Sequence, residues 1–168
     1  MAIPNFSGQG PTVQSWPANI RKWTRPAPRT GAESGLIRKD LDQHRELNRE
    51  ETQTIRNWMD RCGCWEHCDD LAKIYATVVE ANPSWSMPSL KKWNCSGNPW
   101  KRRQSMVSLI EYARKRTRLL PFAELIAFVE PLLDDDEDYV QKGLGWTVRE
   151  IGNAYPEEIA SWINMRPV

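Results

Sequence analysis

No stretch of the 168-residue chain approaches the roughly 18 consecutive apolar residues that cross a bilayer. The opening residues, MAIPNFSGQG, also lack the basic and apolar regions of a secretory signal. Both absences lead to the expectation of a soluble, cytoplasmic protein. Cysteine is scarce. Cys62, Cys64 and Cys68, with His67 among them, could offer zinc ligands, but no second C-x2-C or H-x3-H completes the usual spacing. With Cys95 they are expected to be free, mostly buried thiols, and no metal is expected. Alternating apolar and polar residues are missing too, so the chain does not read as a sheet protein.

What is present is helical punctuation. Residues 1–45 form a Pro-, Gly- and Arg-rich leader carrying Trp16 and Trp23, with no sustained period. Residues 46–168 read as one all-α domain. Asn48 with Glu51 makes a plausible helix cap, and Ile55, Trp58 and Met59 mark an apolar stripe. Leu71, Ile74, Tyr75, Val78 and Val79 follow helical spacing up to about Asn82-Pro83. Met106, Leu109, Ile110 and Ala113 line another helix, and Leu125, Ile126, Val129, Leu132 and Leu133 the next. Pro88, Pro99 and Pro121 each fit a first helical turn, where the missing N–H does no harm.

Nine tryptophans are many for this length, and aromatics that overfill a core become binding surface. The formal charge of +1 hides a segregation: nine cations lie between Lys91 and Arg118 against one acid, Glu111. The run Asp134 to Asp138 compensates, at the start of the next helix, where the dipole favours it. A polyanionic partner is therefore compatible with the near-neutral total. In that next helix, VQKGLGWTVRE places Val140, Leu144, Thr147, Val148 and Ile151 on one side. Lys142, Trp146 and Arg149 fall on the opposite side, where packing gives no reason for an indole.

An internal repeat organises these helices. WNCSGNPWKRR can be laid on LLDDDEDYVQK at an offset of 39, matching Trp100 with Tyr139 and Arg103 with Lys142. Moving back 35 residues from Trp100 reaches Trp65 in CWEHCDD. A period near 40 predicts HEAT-like helical hairpins stacked as a short curved α-solenoid, with the second helix of each unit on a shared wall. Trp65 and Asp69 would share one helical face, and Arg103 sits at the edge of the Met106/Ile110 stripe, a costly place for an unpartnered charge. Plainer explanations stay open. Asp69 could favour a helix start, Trp65 and Trp100 could staple hairpins, and Arg114-Lys115-Arg116 could be a solvated helix end.

The segments CWEHCDDL, KKWNCSGNPWKRRQSM and DYVQKGLGWTVREIGNAYPEEI resemble the DNA alkylation repair family, the AlkD-like alkylpurine DNA glycosylases built of HEAT-like repeats. W-x6-W-x2-R followed by V-Q-K-x2-G-W-x2-R-E carries the resemblance, over about residues 50–168. It implies a cofactor-free, monomeric enzyme that excises cationic N3- or N7-alkylated purines from double-stranded DNA without extruding the lesion. Asp69 takes the catalytic position, and Trp65 and Trp146 the positions of indoles touching the lesion nucleotide. Arg103 takes that of a backbone-binding arginine, with Lys142, Arg149, Trp100, Lys101 and Arg102 counted in the DNA-binding set. A non-catalytic duplex-binding module and a protein-binding scaffold are the alternatives. The sequence departs from the family in carrying Glu66, where aspartate is common. It also has the leader where further repeats usually stand and a shorter C-terminal end, so a shortened wall and weaker grip are expected.

Overall fold

A computed structural model describes residues 49–81, 83–115 and 120–165. The leader, the Asn48 cap, Arg116 and Arg118 lie outside them, as do the side chains of Glu51, Ile110, Ala113, Arg114 and Lys115. The described residues are helical, with no strand among them. The α-helices are α1 Arg49–Trp58, α2 Trp65–Ala81, α3 Pro83–Asn94, α4 Pro99–Lys115, α5 Phe122–Val129, α6 Asp138–Ala154 and α7 Pro156–Asn164. Single 3-10 turns, Met59–Arg61 and Glu130–Leu132, follow α1 and α5.

Helix α4 is the centre of the packing, with α2 against one side and α6 against the other. Successive helices also pack together, α3 against α4 most closely, with contacts of α2 with α3, α5 with α6 and α6 with α7 as well. The expected stripe of α2 is buried throughout, but Ala72, Ala76 and Thr77 are buried as well, so this helix is enclosed beyond one face. Ile55, Met59, Leu71, Ile74, Met106, Leu109, Leu125 and Ile151 make the innermost layer. Trimming one such side chain to alanine removes about 2–5 kcal/mol, so the packing of α2, α4 and α6 is held firmly.

Two expectations about proline are corrected. Pro88 lies inside α3, and Pro83 occupies the first position instead. Pro88 is exposed, as is Ser84 one turn earlier, so water can serve the carbonyl that loses its helical donor. Pro121 stands just before α5, its carbonyl accepting from the N–H groups of Glu124 and Leu125. Pro99 does open α4, as its N1 preference dictates. Helix α5 stops at Val129 because Pro131 has no N–H to continue the ladder, and the chain tightens into the 3-10 turn that buries Leu132. Helix α7 has too short an apolar pattern to announce itself in sequence. It docks through Ile159 and Trp162, whose indole N–H donates to Glu130 at 3.0 Å.

Buried polar groups fix the helices relative to one another. Asn94 of α3 donates both to Ser105 of α4 and to the carbonyl of Phe128 in α5, each at 2.9 Å. Arg102 of α4 grips Asp135, ahead of α6, at 2.6 and 3.1 Å, and also reaches the carbonyl of Ser96 at 2.9 Å. The hydrogen bond from Arg102 holds the Asp135 carboxyl below its ordinary value of 3.8. Its stabilisation is therefore full above that value and is lost as pH falls through the depressed one.

Candidate active site

Asp69, Arg103 and Lys142 are each the fifth residue of their helix, in α2, α4 and α6, and α4 packs between the other two. Asp69 sits in the first turns of α2, its side chain 18% exposed. Arg103 comes across from α4 and is only 4% exposed. Its Nη2 donates to Asp69 Oδ1 at 2.7 Å, and its Nη1 to the carbonyl of Tyr139 at 2.7 Å. One planar guanidinium thus spans α2, α4 and α6. Among the described residues nothing bonds Oδ2 of Asp69, which leaves that oxygen for the solvated side. Burial raises the Asp69 carboxyl above 3.8, and the hydrogen bond and charge of Arg103 pull it back.

The route of Arg103 depends on Gly143. A Cβ at position 143 would stand 2.9 Å from Nη1 and 3.1 Å from Cγ of Arg103. Gly143→Ala is expected to push the guanidinium off its two acceptors and to cost about 1–3 kcal/mol, as overpacking does. Thermal unfolding of the variant checks this, and an unchanged melting temperature would refute the packing argument.

Trp65, the first residue of α2, is 45% exposed one turn ahead of Asp69. Trp146 differs from expectation. Its indole is half-buried against the core and donates to Glu150 Oε1 at 3.2 Å. Glu150 is itself buried, with Asn153 donating to its other oxygen at 3.2 Å. The buried face of α6 runs through Val140, Gly143, Thr147, Glu150 and Ile151, while Leu144 and Val148 are half-buried. At 100° per residue the face is turned by roughly 50° from the expected stripe. That rotation puts Trp146 at the edge of the packed face, so core contact supplies part of the indole's reason.

The cations divide. Arg103 and Arg102, expected on phosphates, have carboxylate partners inside the chain, Asp69 and Asp135. Lys101 pairs with Asp60 at 2.6 Å. Trp100 packs its ring against Tyr139, centroids 5.3 Å apart, in keeping with a hairpin staple. Lys142 and Arg149 are exposed; Lys142 lies over the Tyr139 ring, 4.8 Å from its centroid, and Arg149 reaches Glu150 at only 3.4 Å. The sequence had not singled out Tyr139, Gly143 or Glu150 as site residues. The repeat match of Trp100 with Tyr139 was the one available signal.

All four cysteines are free; Cys62 and Cys68 are buried, Cys64 and Cys95 exposed. A hydrogen bond from Cys68 lowers the Cys62 thiol, while burial raises Cys68 well above the ordinary value. No group of three or more His, Cys, Asp or Glu side chains suited to a metal occurs among the described residues. No described helix is long and apolar enough to cross a membrane.

A sequence profile for the family described as DNA alkylation repair enzyme matches residues 37–167. The chain belongs to the DNA alkylation repair enzyme family. No curated protein and no solved structure gives a match. Membership in this repair family implies a DNA substrate, and the match covers the described α1–α7 together with the carboxylate, guanidinium and indoles above.

Proposed function

We propose that this repair-family protein is a DNA glycosylase that hydrolyses the N-glycosidic bond of cationic N3- and N7-alkylated purines in duplex DNA. The observation that carries this is the Asp69 carboxylate, fixed through Oδ1 by a buried arginine and open at Oδ2, beside an exposed indole. Helices α2, α4 and α6, packed in series, support a HEAT-like solenoid in which they form the binding wall, each as the second helix of its hairpin.

The chemistry needs little more. An alkylated purine already carries positive charge and is a good leaving group. As the C1′–N9 bond lengthens, its electron pair moves to the base and positive charge grows on the deoxyribose. Asp69 stabilises that charge electrostatically and orients a water. Water oxygen bonds to C1′, its proton passes to solvent, and the products are neutral alkylpurine and an abasic site. The indoles of Trp65 and Trp146 offer faces that attract the cationic base and sugar edge. Lys142 and Arg149 hold phosphates without reading sequence. A groove of about 640 Å³ between α3 and α5, lined by Met87, Lys91, Phe128 and Pro131 among others, includes none of these residues. An open wall acting on a stacked lesion suits the Asp69 site better than a pocket for a flipped base.

The test is chromatography of free base. Wild-type protein incubated with duplex DNA containing 7-methylguanine should release that base and leave an abasic site, and intact DNA after prolonged incubation would reject the proposal.

A further inference from the structure

Tyr139 is an exposed aromatic whose surroundings are more ordered than a surface side chain requires. It is 41% exposed, yet Trp100 packs on its ring at 5.3 Å and Lys142 lies over it at 4.8 Å. Its carbonyl accepts from Arg103, the same guanidinium that holds Asp69. The ring therefore stands at a fixed offset from the candidate catalytic carboxylate, tied to it through one rigid group. Lys142 differs from Lys101, Arg102 and Arg103 in making no ion pair with a described residue. Its ammonium, oriented by the ring beneath, keeps N–H groups for an outside acceptor.

A phenol on a held ring and an ammonium over its face, unpaired among the described residues, offer two donors to a singly charged tetrahedral anion with two outward oxygens. The exposed acids Asp134, Asp136, Glu137 and Asp138 precede this point along the chain and would repel such an anion on their side. Arg149, two turns further along α6 and about 10 Å away at 1.5 Å per residue, extends the positive line in the other direction. We propose that Tyr139 and Lys142 form a phosphodiester subsite, which grips one backbone phosphate of the duplex and sets the register of the lesion over Asp69. The subsite deepens the glycosylase reading and rests on it for the identity of the polyanion.

The test uses duplexes in which one phosphate at a time around the lesion is replaced by a neutral methylphosphonate. Wild type should lose affinity at one particular linkage, and Lys142→Gln should lose little more when that linkage is neutral. On unmodified duplex, Lys142→Gln should bind about five- to tenfold more weakly at low salt and reduce the salt exponent by about one. Tyr139→Phe keeps the ring on Trp100 and should weaken binding about threefold through the lost hydroxyl. Melting temperatures show whether the variants fold, and Lys142→Arg should restore binding if charge is what matters. Binding within twofold of wild type for both variants, with the linkage sensitivity intact, overturns the subsite. A wild type that binds with the expected pattern but releases no base overturns the glycosylase reading and leaves the subsite standing. A wild type with no duplex affinity overturns both.

Discussion

Asp69→Asn is expected to release 7-methylguanine at least about a hundredfold more slowly than wild type, the effect of removing one preorganised charge from a developing charge. The substitution keeps the size and one acceptor oxygen, so Arg103 retains a hydrogen-bond partner and the α2–α4 contact persists. Duplex affinity should hold within about twofold, because Asp69 does not contact phosphates in this account. The two readouts together separate a chemical role from a structural one. A variant that loses binding and release in parallel points to a helix-positioning carboxylate. A variant that releases base at the wild-type rate removes Asp69 from the chemistry.

Arg103→Met should have the next largest effect, on both stability and rate. Asp69 would then lose the hydrogen bond and charge that oppose its burial, and the carbonyl of Tyr139 its donor. Breaking a buried pair costs about 3–5 kcal/mol, reduced here to about 2–3 because Asp69 remains in part solvated. The loss reads as a lower thermal midpoint. The surviving Asp69 carboxyl would rise further above 3.8, so a smaller fraction would be ionised at mildly acidic pH. Arg103→Lys keeps the charge but cannot hold both acceptors with one planar fork, so it should fall between the two. Wild-type stability and pH response in Arg103→Met would contradict the role assigned to the pair.

Much of the helical framework could be read from periodicity, because the strongest pattern, Leu71 to Val79, belongs to a helix whose expected stripe is buried throughout. Helix α6 shows where that reading bends. Glycine and glutamate count as non-core in any pattern, yet Gly143 is buried because Arg103 needs its space, and Glu150 because Trp146 and Asn153 donate to it. Those two residues rotate the packed face and change the standing of Trp146. The unfavourable position of Arg103 was visible, and so was its need for an anion. Its partner was not, since Asp69 is 34 residues away and meets it only when α2 and α4 lie side by side. The same holds for Lys101 with Asp60 and Arg102 with Asp135, across 41 and 33 residues. A basic segment looks available to DNA until the fold supplies acids for Lys101, Arg102 and Arg103; Lys91, Lys92, Lys142 and Arg149 are among the cations left exposed.

The most direct measurement of the central claim is single-turnover base release against pH, with the duplex saturating, for wild type and Arg103→Lys. Wild-type release should fall on a one-proton acid limb centred above the ordinary carboxylate value of 3.8, and the limb should move to higher pH when the arginine fork is lost. A limb that stays in place in Arg103→Lys, or a release rate with no acid limb above that value, would contradict the claim.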